Sequence, residues 1–178
     1  MKVVVLLLFI FIMDQDNTLL IADFKNKGDI SEWYVVDDGV MGGLSQGTFT
    51  STDLGNALYT GTVRTENNGG FSSVRYGFST KGVSKYLFVT LRIKGDGKSY
   101  QFRIKEDRSQ RYSYITTFKT SGGWETIKLP LATFYPSFRG YSLNKPNFSS
   151  DKIEEIAILI GNKTKESFSL EIESIYLE

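Results

Sequence analysis

Apolar and polar residues alternate along most of the chain, in short runs that end at glycine-rich turns. Between Tyr86 and Lys94 every second residue is apolar, and the same alternation returns between Tyr100 and Lys105. A period of two residues is typical of strands that bury one face. Gly95–Lys98 separates these runs with turn-forming residues, so we predict a β-hairpin at this point.

The same pattern recurs in enough segments to predict the fold class. About ten strands with little helix indicate an all-β sandwich or barrel. In the last segment the apolar parity changes, which predicts a β-bulge near Glu173-Ser174. Single helical turns are predicted at Asp29–Glu32 and Ser150–Glu155, and a long loop at Phe134–Ser150. The further predicted strands are Leu19–Phe24, Trp33–Val36, Ala57–Thr65, Phe71–Phe78, Tyr112–Thr120, Trp124–Leu129, Ile156–Ile160 and Phe168–Leu177.

Length and composition narrow the function classes. A chain of 178 residues favours one domain, which we place at residues 19–178. Its 21 basic and 20 acidic residues give a net charge of +1, so no nucleic-acid partner is expected. The chain has no His and no Cys, which excludes Ser-His-Asp and Cys-His catalysis, zinc fingers and iron–sulfur clusters.

The N-terminal residues 1–18 resemble a signal-like leader. Lys2 precedes an unbroken apolar run, Val3–Met13, which is shorter than the ~20 residues of a spanning helix. We therefore expect no transmembrane segment. A buried strand that begins at Val3 is the alternative. The protein is expected to be exported, periplasmic or membrane-associated if the leader is a signal, and cytoplasmic otherwise.

No catalytic residue emerges from the motifs. Gly43-Leu44-Ser45-Gln46-Gly47 has the form of a nucleophile elbow, but the chain has no His to activate the serine. The adjacent carboxylates Asp37-Asp38 and Glu154-Glu155 would point to opposite faces of a strand. No cofactor and no metal site is predicted. The sequence leaves open whether a structural calcium ion is bound, because Asp side chains and backbone carbonyls suffice as its ligands.

Two dense segments carry the remaining information. Trp33–Gly47 runs from a strand into a loop with four glycines, and Glu66–Arg75 runs from a tight turn into a strand. Arg75 has two open interpretations: it ties the first loop's carbonyls or Asp38 to the second strand, or it faces a ligand. The candidate residues for partner binding or loop bracing are Asp38, Val40, Met41, Gly42, Gly43, Ser45, Asn67, Asn68 and Arg75.

These two segments resemble the complex I intermediate-associated protein 30 family. The resemblance rests on Trp33, on Asp38–Gly47 and on Asn68–Arg75, and it extends more weakly to residue 178. It implies a jelly-roll β-sandwich of the galactose-binding-domain-like type. It also implies a role like that of the mitochondrial relatives, which act as assembly factors for respiratory complex I.

Two functions follow as hypotheses. The first is a non-catalytic, chaperone-like module that binds a protein client through the end of the sandwich where the two segments meet, with a membrane-complex assembly intermediate as one candidate client. The alternative is a carbohydrate-binding module of a secreted or periplasmic protein. Its sugar-stacking candidates are Tyr135 and Tyr141, with Tyr34 and Trp124 as further exposed rings.

Overall fold

The computed structural model describes residues 17–27 and 29–178 as a jelly-roll β-sandwich of two antiparallel sheets, which confirms the predicted fold class. The predicted leader falls almost entirely on residues 1–16, outside the described residues. The strands are β1 (Leu19–Asp23), β2 (Trp33–Asp37), β3 (Gln46–Ser51), β4 (Ala57–Val63), β5 (Ser72–Gly82), β6 (Phe88–Lys94), β7 (Ser99–Lys105), β8 (Ser113–Lys119), β9 (Trp124–Pro130), β10 (Tyr135–Phe138), β11 (Tyr141–Ser142), β12 (Lys152–Ile160) and β13 (Glu166–Leu177).

The strand order places the two dense segments at neighbouring positions. One sheet runs β3-β4-β13-β6-β9, with β1 paired to the C-terminal half of β13. The other sheet has seven strands in the order β11-β10-β8-β7-β12-β5-β2. Strand β2 therefore lies antiparallel beside β5 in the seven-stranded sheet, and the loop that leaves β2 lies at the same end as the turn that enters β5.

The core lies between the sheets and is rich in aromatic rings. Strand β7 alternates strictly, burying Tyr100, Phe102 and Ile104 while its other side chains stay partly exposed. Burial of such side chains contributes about 1.5–3 kcal/mol each. A second group of rings closes one end of the core, where Trp33 stacks on Tyr76 with the ring centroids 4.9 Å apart.

The predicted hairpin between β6 and β7 is wrong, because the two strands belong to different sheets. Strand β6 pairs with β13 and β9, whereas β7 pairs with β8 and β12. The turn between them is present, but it crosses the sandwich. Its Asp96 carboxylate accepts hydrogen bonds from Tyr100 Oη of β7 at 3.0 Å and from Ser169 N of β13 at 2.9 Å, so it joins the two sheets.

The helical turns lie at other positions than predicted. Ser150–Glu155 leads into β12, and residues 29–32 form a non-helical connection. The segment predicted as one long loop contains β10 and β11. Among the residues that the structure describes, the helices are α1 (Phe24–Lys27) and three 3₁₀ turns, Asp38–Met41, Glu66–Asn68 and Leu131–Thr133.

The predicted bulge in β13 is confirmed, because the pairing of β13 with β6 shifts register between Ile172 and Ser174.

In the part of the chain that the structure describes, no helix has the length and apolar character needed to cross a membrane.

Candidate functional site

The Asp38 carboxylate joins the two dense segments. Its side chain is fully buried, and its Oδ1 accepts the Ser45 N–H at 3.0 Å. Its Oδ2 accepts the Ser45 hydroxyl at 2.6 Å, the Gly70 N–H at 2.6 Å and the Phe71 N–H at 3.2 Å. We call this arrangement of Asp38, Ser45, Gly70 and Phe71 the Asp38 brace. It fixes the loop after β2 against the turn before β5.

Two glycines make room for the Asp38 brace. A Cβ on Gly43 would lie 2.2 Å from the Asp38 carboxylate carbon, and a Cβ on Gly69 would lie 2.6 Å from Oδ2. Gly42 has φ +83°, in the left-handed region that favours glycine. Asn67 also has a positive φ, 56°, and its amide donates to the Gly42 carbonyl at 3.1 Å.

The electrostatics of the brace keep the carboxylate ionised. Burial alone would raise the pKa of Asp38. The hydrogen bonds from Ser45, Gly70 and Phe71 outweigh burial, so the pKa lies below its usual value. All four bonds come from the protein itself, so this carboxylate serves the fold and is not free to act on a substrate.

A shallow cleft lies beside the Asp38 brace. The side chains of Val40 and Met41 are outside the described part of the structure, and Asn68 is exposed with φ 61°. Leu44 is 44% exposed at the cleft, which has a volume of about 450 Å³. The cleft is lined by Gly43, Leu44, Ser45, Gln46, Thr62, Arg64 and Lys165. Partner contact through this end of the sandwich stays a prediction.

Arg75 takes no part in the Asp38 brace, so the prediction that it ties the first loop or Asp38 to the second strand is wrong. All four hydrogen bonds of the Asp38 carboxylate come from other groups. The Nε of Arg75 donates to Ser73 Oγ at 3.4 Å instead. Arg75 lies on the outward face of the seven-stranded sheet, which leaves a ligand as the open interpretation.

Six residues form a row across that outward face. The strand registers pair residue with residue from one side of the sheet to the other. We call this set the arginine row: Tyr34, Arg75, Ala157, Arg103, Ile115 and Tyr135. Directly paired residues on neighbouring strands share a face, with Cβ atoms about 4.5–5.5 Å apart. Tyr34 is 42% exposed and Tyr135 38% exposed, whereas Ala157 and Ile115 are buried beneath longer side chains.

The two arginines of the row lack acidic partners. Among the described residues, neither Arg75 nor Arg103 has an ion pair within 4.0 Å. Arg103 donates through Nε and Nη2 to Gln101 Oε1, at 3.1 and 2.6 Å. Burial, and then repulsion by the charge of Arg75, lower the pKa of Arg103 to about 10.

The Glu155 carboxylate contacts the row, since its Oε2 accepts from the Tyr34 hydroxyl at 3.5 Å, but it is already paired with a lysine. Glu155 Oε1 lies 3.2 Å from Lys105 Nζ, and both side chains are largely buried. The guanidinium of Arg108 covers Gly77, where a Cβ would lie 2.7 Å from Arg108 Cζ. This face therefore carries an excess of positive charge on a chain whose net charge is only +1.

The structure separates the aromatic residues proposed for sugar stacking. Tyr141 is 77% exposed and pairs with Phe138, whose side of β10 is opposite to that of Tyr135. Trp124 belongs to the other sheet, where the Arg92 guanidinium lies 5.5 Å from its ring centroid. Only Tyr34 and Tyr135 share a face.

The sequence analysis missed Arg103 as a site residue. The alternation in β7 predicts that Arg103 faces away from the core. Its position between Arg75 and Tyr135 depends on the strand order, which the alternation does not encode. Within residues 17–27 and 29–178, no three acidic side chains lie close enough together to hold a metal ion.

Comparison with known proteins identifies the family. The family model for Complex I intermediate-associated protein 30 matches residues 22–172. The mouse protein "Complex I intermediate-associated protein 30, mitochondrial" is 27% identical over 180 residues, which cover 88% of this chain and 55% of the mouse protein. The chain thus spans about half the length of this curated relative.

Solved structures support the fold. A family 11 carbohydrate-binding module from Clostridium thermocellum, solved with a mixed-linked tetrasaccharide, is 19% identical with a TM-score of 0.68; the match covers 90% of this chain and 94% of that one. The family 11 module of a cellulosomal cellulase from the same organism is 18% identical with a TM-score of 0.70, covering 90% and 93%. At this identity the similarity concerns the fold alone. The match to residues 22–172 shows that this chain belongs to the complex I intermediate-associated protein 30 family.

Proposed function

We propose that this chain is a non-catalytic module that binds a protein client and assists the assembly of a membrane complex. Membership of the complex I intermediate-associated protein 30 family supports this proposal. The mouse relative is named for an assembly intermediate of complex I, and this chain corresponds to about half of it. A respiratory complex is accordingly the first client to test.

The observation that carries the proposal is the arginine row. Tyrosine and arginine are enriched at the energetic centres of protein interfaces, where Lys and Glu are depleted. In this row two exposed tyrosine rings flank two arginines without acidic partners. The half-buried guanidinium groups have lost part of their hydration, and a partner that supplies carboxylates and apolar contacts compensates for that loss.

The chemistry of the chain also favours binding over catalysis. It has no His and no Cys to act as a base or a thiolate nucleophile. The carboxylate in its densest motif, Asp38, is fully occupied by the brace. We therefore propose that the protein is not an enzyme.

Gene deletion and affinity capture in the native host test the proposal. We expect the deletion strain to accumulate partial forms of respiratory complex I on native gels, and the restored gene to return the mature complex. The tagged chain should capture subunits of the same complex, identified by mass spectrometry. Normal assembly in the deletion strain would contradict the choice of client. Turnover of a defined compound by the pure protein, abolished by one substitution, would contradict a non-catalytic role.

Carbohydrate binding is the second candidate function, favoured by Tyr34 and Tyr135 on one open sheet face. Exposed aromatic rings provide an apolar surface on which other planar or apolar groups pack. A glycan array should then give binding that Tyr34→Ala and Tyr135→Ala abolish. Tyr141→Ala is the matched control, because that exposed ring lies on the opposite side of the sheet. No binding to any glycan would remove this candidate.

A further inference from the structure

We infer that the client presents an extended acidic segment, whose carboxylates bind to Arg75 and Arg103 across the outward face of the seven-stranded sheet. This inference rests on the proposed function and specifies its partner. Neither Arg75 nor Arg103 belongs to the Asp38 brace, and Arg103 lies outside both motifs of the family resemblance.

The first argument is charge. Arg75, Arg103, Lys105 and Arg108 lie on or over this face, and the carboxylate of Glu155 beside them is paired with Lys105. Arg75 and Arg103 lie on either side of Ala157, whose small side chain does not separate them. An uncompensated pair of half-buried guanidinium groups is unfavourable in the free protein, and bound carboxylates remove that penalty.

The second argument is the orientation of the donors. Each arginine is held at one end by the residue two positions earlier on its own strand. Ser73 accepts from Arg75 Nε, and Gln101 accepts from Arg103 Nε and Nη2. Among the described residues, no acceptor is bonded to Nη1 or Nη2 of Arg75 or to Nη1 of Arg103. These donors suit carboxylate oxygens, and their fixed position lowers the entropic cost of binding.

The third argument is the shape and lining of the row. Tyr34 on β2 and Tyr135 on β10 are five strand spacings apart, which at about 4.8 Å each gives roughly 24 Å. An extended peptide of about seven residues spans this distance. Ala157 lies between the two arginines and is only 4% exposed, so a ligand meets the arginine and tyrosine side chains of the row and not the sheet surface beneath them. Apolar side chains of the segment can pack on the exposed rings of Tyr34 and Tyr135 at the two ends of the row.

A neutral glycan would leave both arginines without a countercharge. A polyuronate shares the carboxylates of an acidic peptide, but its rings carry many hydroxyl groups. The proposed function is the binding of a protein client, so we assign these carboxylates to a peptide and test the polyuronate as the competing ligand.

Direct binding measurements test the inference. The probe is a fluorescein-labelled peptide of alternating Glu and Leu, measured by anisotropy against the full chain at low ionic strength. Its counterpart with Gln at every Glu is the control ligand, and a polygalacturonate oligomer is the third ligand. We expect the Glu peptide to bind, the Gln peptide to bind at least about tenfold more weakly, and added salt to weaken binding further.

The variants identify the face. The double substitution Arg75→Gln and Arg103→Gln should lower the affinity for the Glu peptide by about tenfold or more. Arg92→Gln removes an arginine from the other sheet and should leave binding unchanged. The melting temperature of the double variant should equal or exceed that of the wild type, because a repelling pair has been removed. A lower melting temperature would contradict the claim that these residues serve binding at the expense of stability.

Three outcomes would overturn the inference. One is equal binding of the Glu peptide to the wild type and the double variant. Another is equal binding of the Gln and Glu peptides. The third is arginine-dependent binding of polygalacturonate with no binding of the peptide, which would assign the face to an acidic glycan. The assembly assay separates this failure from failure of the proposed function. If the double variant restores assembly in the deletion strain, only the inference fails.

Discussion

Asp38→Ala is expected to lower the free energy of unfolding by about 3–5 kcal/mol, which corresponds to a fall of roughly 10 °C in the melting temperature. The buried carboxylate accepts four hydrogen bonds, and alanine would leave the N–H groups of Ser45, Gly70 and Phe71 without acceptors. Thermal and urea unfolding followed by circular dichroism measure the loss.

The matched control is Asp53→Ala, since Asp53 is an exposed acid in a turn. Its effect should stay within about 0.5 kcal/mol of the wild type. Similar effects of the two substitutions would contradict the role of the Asp38 brace.

The pH dependence gives an independent check on the brace. The folded-state pKa of Asp38 lies below the unfolded value of about 3.9. The ionised brace therefore contributes its full stability above that value and loses it as the pH falls through the folded pKa. The stability difference between the wild type and Asp38→Asn should be constant above about pH 5 and shrink below about pH 4. A constant difference down to pH 2.5 would contradict the ionised brace.

Alternation in the sequence predicted most strands, because burial of one face imposes a period of two on any strand. The period does not say which strands pair. The runs that became β6 and β7 have the same pattern whether they form a hairpin or cross between sheets. Here the Asp96 turn bonds to β7 and β13 and thereby joins both sheets. Strand β3 was missed because its outer positions are polar and Phe49 is its only large apolar residue.

The candidate site also has one part that the sequence predicts and one part that it does not. The glycines and Asp38 of the two dense segments could be recognised from the sequence. A backbone that passes close to a buried carboxylate needs glycines nearby in the chain. The arginine row combines residues from β2, β5, β12, β7, β8 and β10. No local pattern connects Arg75 with Arg103 or Tyr135, so this row required the strand order. The motifs that carry the family resemblance thus build the scaffold, and most of the proposed binding surface lies outside them.

Gly43→Ala should be strongly destabilising in the wild type and almost neutral in an Asp38→Gly background. In the wild type the added Cβ would lie 2.2 Å from Cγ and Oδ1 of Asp38 and 2.7 Å from its Cβ, so the brace has to open. Such overpacking costs about 1–3 kcal/mol. Glycine at position 38 removes all three of these atoms, whereas alanine would leave the Cβ in place.

The double-mutant cycle measures whether one interaction explains both residues. We expect a coupling of about 2 kcal/mol, because each substitution disrupts the same brace. Gly39→Ala is the matched control, since a Cβ at Gly39 would meet nothing within 4 Å. Equal costs of Gly43→Ala in the two backgrounds would mean that Gly43 is required for another reason. Strong coupling would show that glycine is required at position 43 because it packs against a single buried carboxylate.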